Sequence, residues 1–405
     1  MNLDTTEYFS AQEIEKTWKQ LIDLGPRFPG TENEVLAKKF IISAMDNVAD
    51  TVSEHEYNYL GWSLRSKPKL RISSPSPYEF PCEAFIYCNP TPPSGIVGKL
   101  QYIGKHRIIG AYEWEKFAVI SSTGEIVAYI SGRPDGPAQP QPLDRASSPK
   151  PHFIVGEHEL RLLLTWVNRG LDIVVEGKID CKVDPKAKSS NIVASFNPNL
   201  TDGRIIICAH YDSMYDCPGA NDNAGGVTAL ILLATHIRKH FPEIPIDFIF
   251  FCGEEWELAG SRPYVNDNIS KINASSIKFL LNLDGISEGD HLSFWVGPEE
   301  FEAKLKNIVD KFSHHRKVNK TFYFPPPLGS DHIPFYLAGV PVCMISFGDM
   351  VKYHLNEDKY CFEGIENIHY VTELSWHIIN TFMNQEIRWN TIQGRLTPNK
   401  PSSWI

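Results

Sequence analysis

The 405-residue sequence predicts an α/β protein: a mixed, mostly parallel central sheet flanked by helices, with a smaller β-rich domain inserted into it. Three observations carry that reading. Beyond residue 170, unbroken apolar runs alternate with amphipathic stretches, and unbroken runs belong to strands buried on both faces. Between residues 66 and 169 the texture changes: 13 of the 29 prolines fall there among short β-rich runs, a density that breaks long helices and favours short strands with many turns. The balance of 42% hydrophobic and 22% charged residues is that of a chain able to bury a sizeable core. Residues 1–65 and 170–405 are therefore assigned to the main domain and 66–169 to the insert.

Taken in order, the elements follow from periodicity. After a turn-rich entry from Gly25 to Thr31, residues 32–48 place Val35, Leu36, Phe40, Ile41, Ala44, Met45 and Val48 at the spacing of a helix with one buried face. The insert offers strand-like runs at 83–87, 117–121 and 125–130, and closes on a helical stretch with Leu160, Leu163, Leu164 and Val167. The buried strands of the main domain are expected at 192–196, 205–208, 246–252, 277–283 and 340–347. Between them Val227, Leu230, Ile231, Ala234 and Ile237 form a helical stripe, and 301–312 and 365–382 read as further helices.

A formal charge of −10, from 39 basic and 49 acidic residues, argues against nucleic acid or an anionic membrane as partner, because both require a basic footprint. The basic tetrad His314-His315-Arg316-Lys317 reads as a solvated helix end. No apolar run approaches the ~20 residues that span a bilayer, and the first seven residues have neither a basic nor an apolar signal region, so a cytoplasmic protein is expected. The eight cysteines form no CxxC pair and are read as reduced thiols.

The chemistry lies at the ends of the apolar runs. The run 205–209 leads into His210-Tyr211-Asp212, the run from Ile246 leads through Gly253 into Glu254-Glu255, and the run from Ile277 leads into Asp284. Three strands thus deliver charged or imidazole groups at their carboxyl ends, the edge where open α/β sheets place their sites. Unpaired beside a core, each charge would cost several kcal/mol, on the order expected for buried ions. Buried ion pairs are one solution, but arginine and lysine are nearly absent beside these positions. A divalent metal is the other, and carboxylates with neutral imidazoles are a ligand set expected for zinc. Singly, each motif has a plain structural reading: a surface strand end for His210, a helix cap for Asp222 or Asn223, a solvated turn for Glu254-Glu255, and an exposed loop for His354.

Together these segments closely resemble metallopeptidase family 28, the co-catalytic di-zinc aminopeptidases. The resemblance rests on His210-Tyr211-Asp212, Pro218-Gly219-Ala220-Asn221-Asp222-Asn223, Gly253-Glu254-Glu255, Asn282-Leu283-Asp284, Ser330-Asp331-His332 and Tyr353-His354 through Asp358, in that order, with Gly25-Pro26-Arg27 similar to the family's N-terminal signature. It implies a zinc exopeptidase-like fold and two zinc ions per chain. Asp222 would bridge both metals, His210 and Asp284 would complete one, and Glu255 and His354 the other. Glu254 would be the general base acting on a zinc-bridged water, Asp212 the carboxylate holding His210, and Tyr353 the stabiliser of the oxyanion. The resemblance also implies a cis peptide between Asp222 and Asn223, and the insert is similar to a protease-associated domain. The expected activity is removal of N-terminal residues from a peptide or dipeptide substrate. A dipeptidase or carboxypeptidase-like hydrolase on the same scaffold is the enzymatic alternative, and a non-catalytic binding module the alternative of another class. Oligomeric state and side-chain preference are not legible.

Overall fold

The computed structural model describes residues 8–108, 113–142, 149–200, 203–268, 272, 276–347 and 354–383. The described residues divide into two compact units, 8–58 with 188–383, and 59–187. The second starts 7 residues before the sequence-based boundary of 66 and ends 18 after that of 169, because the strands Thr51–Ser74 and Val174–Phe196 are long enough to serve both units.

In the larger unit, helices α1 (Ala11–Ile22) and α2 (Glu32–Asp46) precede the sheet. Ser10 caps α1 by accepting the Glu13 N–H, and Thr31 caps α2 by accepting that of Glu34. The sheet strands are β1 (Arg204–His210), β2 (Ile246–Phe251), β3 (Ile277–Leu283), β4 (His291–Gly297), β5 (Asn319–Tyr323) and β6 (Val342–Phe347). Their order is β5-β4-β6-β3-β1-β2, followed by the end of Val174–Phe196. The pairs β5-β4, β6-β3, β3-β1 and β1-β2 are parallel, whereas β4-β6 and the pairing of β2 with Val174–Phe196 are antiparallel. The fold is thus the mixed, mostly parallel α/β sheet that the apolar runs predict.

Register explains why the site collects at one end. Phe251 pairs with His210, and Asn282 with Cys208, so the residues leaving β1, β2 and β3 emerge side by side at their carboxyl ends. Below that edge Ile206, Cys208, Ile249, Phe251, Leu280, Phe335 and Val342 pack into a dry core. Helix α3 (Gly225–His240) is buried on nearly every face, not along one stripe; a helix apolar all round belongs inside. It packs against α5 (Glu363–Met383), while α4 (Glu299–Lys311) covers β4.

Helix α2 departs from its predicted face. Val35 and Leu36 are exposed, and the buried line is Glu34, Ala37, Ile41 and Met45. Glu34 goes inside because its carboxylate accepts the Tyr211 hydroxyl at 2.8 Å; one satisfied polar anchor outweighs two exposed aliphatic side chains.

The smaller unit is β-rich. Strands Ile96–Arg107, Glu113–Ile120 and Ile126–Gly132 pair antiparallel in sequence, His152–Val155 joins parallel, and Cys82–Ala84 follows antiparallel. Helix Glu157–Asn168 lies over this sheet through Leu160 and Leu163, both buried. No helix among the described residues is long and apolar enough to cross a membrane, and the cysteines are free thiols.

Candidate metal centre

Six acidic or imidazole side chains converge at the carboxyl edge of the larger unit's sheet. His210 ends β1, Asp284 follows β3, and Glu254-Glu255 follow β2 after Gly253, whose φ of 78° lets the strand turn sharply. Asp222 sits in the loop that opens α3, and His354 in the loop before α5. All six are buried. They form two groups, His210 with Glu254 and Asp284, and Asp222 with Glu255 and His354, and in each the ligand atoms lie within 4.8 Å of one another.

Asp222 stands between the groups. Its Oδ1 is 3.0 Å from His210 Nε2, and its Oδ2 is 3.5 Å from His354 Nε2. His210 Nε2 is also 3.2 Å from Asp284 Oδ1, and His354 Nε2 is 2.8 Å from Glu255 Oε2. Nitrogen and oxygen ligands at ~2.0–2.2 Å from a tetrahedral zinc stand roughly 3.4 Å from each other, so this spacing suits two such ions. Glu254 differs: although it belongs to the first group, it comes within ion-pair distance of no histidine, lysine or arginine among the described residues.

The alternative of buried ion pairs fails on the same contacts. Among the described residues, no lysine or arginine lies within 4.0 Å of Asp212, Asp222, Glu254, Glu255 or Asp284; their close cationic partners are histidines alone. Asp222 Oδ2 and Glu255 Oε1 are buried without a hydrogen bond, a state costing roughly 1–3 kcal/mol per atom, more for charged groups, unless something cationic meets them. Burial, and then neighbouring carboxylates, hold Glu254 and Glu255 well above the usual range. Burial alone would lower His210, yet Asp284 and Glu254 hold it well above its ordinary value. Burial pushes His354 down to about 4, leaving a neutral imidazole. The residues therefore fit a pair of divalent cations.

Outer contacts fix the ligands. Asp212 Oδ1 lies 3.5 Å from His210 Nδ1 and accepts the Glu254 N–H at 3.4 Å, while Oδ2 accepts the Glu255 N–H at 3.4 Å. One carboxylate thus aligns the imidazole and the Glu254-Glu255 backbone, a wider role than orienting His210. Sequence reasoning did not place Ser330 and Asn282 at the site, yet Ser330 Oγ donates to Asp284 Oδ2 at 2.6 Å and receives Asn282 Nδ2 at 2.7 Å. Asp331, next in that motif, is wholly buried with neither carboxylate oxygen hydrogen-bonded, and burial pushes it up to about 7. The motif quoted from sequence contained both residues, but nothing in it said which side chain faced inward. The Asp222-Asn223 peptide is cis. Tyr353 lies outside the described residues.

A third cluster of histidine and carboxylate corrects the reading of the basic tetrad. His314 follows α4 but is not a solvated end: its side chain is 5% exposed, stacks on Phe312 and meets Tyr370 edge-on. Its Nε2 is 3.5 Å from Glu373 Oε2, and His369 Nε2 is 3.6 Å from Glu373 Oε1. The proton positions argue against an ion there. His314 Nδ1 accepts the Arg316 N–H at 3.0 Å, so the neutral ring carries its hydrogen on Nε2; His369 Nε2 faces the Phe9 carbonyl at 3.0 Å, which can only accept. At the sheet edge, by contrast, His210 Nδ1 lies 3.5 Å from Asp212 Oδ1, and Nε2 faces only the carboxylates of Asp222 and Asp284.

The model of peptidase family M28 matches residues 191–379. Aminopeptidase YwaD of Bacillus subtilis is 25% identical over 231 residues, 55% of this chain and 50% of that protein. An aminopeptidase of Pseudomonas aeruginosa is 31% identical over 139 residues, 32% of this chain and 26% of its own. The chain thus spans half or less of the length of these curated relatives. Among solved structures, BSAP, a zinc aminopeptidase from Bacillus subtilis, superposes with a TM-score of 0.70 at 20% identity over 92% of this chain and 95% of that one. A peptidase M28 precursor from Shewanella amazonensis gives a TM-score of 0.72 at 16% identity, with 94% of each chain covered. At such identities the structures speak for the fold.

Proposed function

We propose that this chain, whose residues 191–379 match the model of peptidase family M28, is a di-zinc aminopeptidase, removing N-terminal residues from peptides with Glu254 as general base. The observation that carries the reading is Asp222, whose two oxygens face separate histidines, one in each three-residue group. His210 and Asp284 would hold one zinc, Glu255 and His354 the other, and Asp222 both. Two zinc ions in such a site lower the pKa of a water toward ~7 and polarise the scissile carbonyl.

The chain's own residues supply the rest. Glu254 is buried in the His210 group but lies beyond ion-pair distance of that histidine, so its carboxylate would be free to take the proton of the attacking water and pass it to the leaving amine. Proton transfer of this kind is worth ~10² to 10⁴ in rate. Burial raises Glu254, and cations beside it would draw it back toward the range where a carboxylate exchanges protons near neutrality. Asp212 sets a carboxylate beside His210 Nδ1, so that Nε2 is the nitrogen turned to Asp222 and Asp284, and Ser330 fixes the second oxygen of Asp284.

The test is Glu254→Gln. Zinc content of about two per chain should survive while hydrolysis of aminoacyl anilides falls ~10² or more; persistence of turnover would remove Glu254 from the role. Free-amine peptides cleaved in preference to N-blocked ones support an aminopeptidase. Cleavage from the carboxyl end, or of dipeptides alone, points to the other hydrolases of this fold, and a wild-type chain without zinc or turnover points to a binding module.

A further inference from the structure

We propose that Arg27 and Asp358 are a pair of positioning residues that grip the Asp222 loop from its two polar sides and hold it ready for metal; this rests on the di-zinc reading above. Arg27 is wholly buried. Its Nε donates to the Tyr211 carbonyl at 2.9 Å, Nη1 to the Pro218 carbonyl at 2.6 Å, and Nη2 to the Gly219 carbonyl at 2.9 Å. Its backbone N–H meets Ser213 Oγ at 2.9 Å, and that hydroxyl donates to the Cys217 carbonyl at 2.8 Å. The guanidinium thus spans both ends of the segment from 211 to 219, a task suited to a rigid fork of donors and unsuited to a single ammonium.

Asp358 takes the opposite polarity. Its Oδ1 accepts the Asn221 N–H at 2.7 Å, its Oδ2 accepts the Asp222 N–H at 3.0 Å, and its carbonyl accepts the Ala220 N–H at 3.3 Å. Asp358 lies on the loop that carries His354, and Cys217 Sγ donates to the Leu355 carbonyl at 2.9 Å on that same loop. The ligand loops of Asp222 and His354 are therefore tied directly together. Gly219, at φ 62°, sits where the grip is tightest: a Cβ there would stand 2.4 Å from the Asp222 carbonyl oxygen and 2.9 Å from Arg27 Nη2.

The charges are complementary but not paired. No carboxylate lies within ion-pair distance of Arg27 among the described residues, and the acids that act on it from farther off are Asp358, Asp212 and Asp222. An isolated buried cation is costly. Here it faces an acidic site across a loop whose carbonyls it orders.

Positioning and plain electrostatics make opposite predictions. Removing the Arg27 charge would, by Coulomb attraction alone, tighten zinc; losing the grip weakens it. Zinc affinity is measured by chelator competition on purified Arg27→Met, Arg27→Lys and Asp358→Asn chains, beside cobalt(II) absorption spectra and the melting of each metal-free protein. The expected result is a ~10- to 100-fold weaker zinc in each variant, an altered cobalt spectrum, and a fall in kcat with KM retained. Arg27→Lys keeps the charge and so decides if Arg27→Met does not fold; Asp358→Asn, whose lost charge would weaken zinc by itself, is read from its cobalt spectrum. Wild-type zinc affinity and cobalt spectrum in both would overturn the proposal. A wild-type chain that binds neither metal would instead overturn the di-zinc reading beneath it.

Discussion

At the scale of single residues, the site is governed by groups that would not themselves touch a metal. Asp212 shows how: one carboxylate faces His210 Nδ1 and receives the backbone N–H groups of both Glu254 and Glu255. Replacing it by alanine frees the imidazole to change tautomer and leaves two buried amides without an acceptor. Zinc affinity is expected to fall ~10- to 100-fold, and chelator competition on Asp212→Ala is the check; an unchanged affinity would show that packing alone holds the histidine. Some of this was visible in the primary structure, because charged residues directly after unbroken apolar runs have few places to go. Arg27 was not, because its partners are main-chain carbonyls and a side-chain pattern carries no trace of them. Glu34 misled for a related reason: the Tyr211 hydroxyl that draws it inside lies 177 positions away.

At the scale of elements, α3 packs against both the Asp222 loop and α5, and the α3-α5 packing is expected to make the fold acid-sensitive. His236 on α3 packs its ring against Trp376 at 4.9 Å and Phe9 at 5.2 Å. Burial, helped by His240 and Lys239, pushes it down to about 4. A histidine depressed in the folded state takes up its proton on unfolding. Its contribution is therefore complete above the unfolded value of ~6.5 and is lost as pH falls from there toward 4, at up to ~1.4 kcal/mol per pH unit. His236→Phe should flatten the pH dependence of the unfolding free energy between 6.5 and 4.5 by about one proton, read from urea melts across that range. A slope identical to wild type would place the acid sensitivity elsewhere, with buried His332, also held at about 4, the next to test. Element boundaries were largely legible from apolar runs. The face of α2 and the fate of His314 were not, since local spacing does not reveal a distant acceptor or the aromatic rings of another helix.

At the scale of the whole molecule, every side chain proposed to bind metal belongs to the larger unit, and the matched family region, residues 191–379, lies outside residues 59–187. Zinc should therefore stabilise the two units unequally. A ligand bound only by the folded state adds about 2.7 kcal/mol at a hundredfold excess over its Kd. Hydrogen exchange with and without chelator should show that gain at 204–226, 251–258, 283–288 and 354–360, leaving the strands between 96 and 132 unchanged. Equal protection in both units would contradict the placement. The density of proline between 66 and 169 marks a change of texture in the sequence, whereas the strands Thr51–Ser74 and Val174–Phe196 run across the limits at 59 and 187.

The adjacency of Glu254 and Glu255 has a consequence for how this centre can vary. Two acids one peptide apart serve different clusters, and both amides hang on a single carboxylate. A shift of that short backbone segment moves proton acceptor and ligand as one body. Exchanging a side chain there can uncouple turnover from metal loading, whereas inserting or deleting a residue between Phe251 and Glu255 must abolish both together.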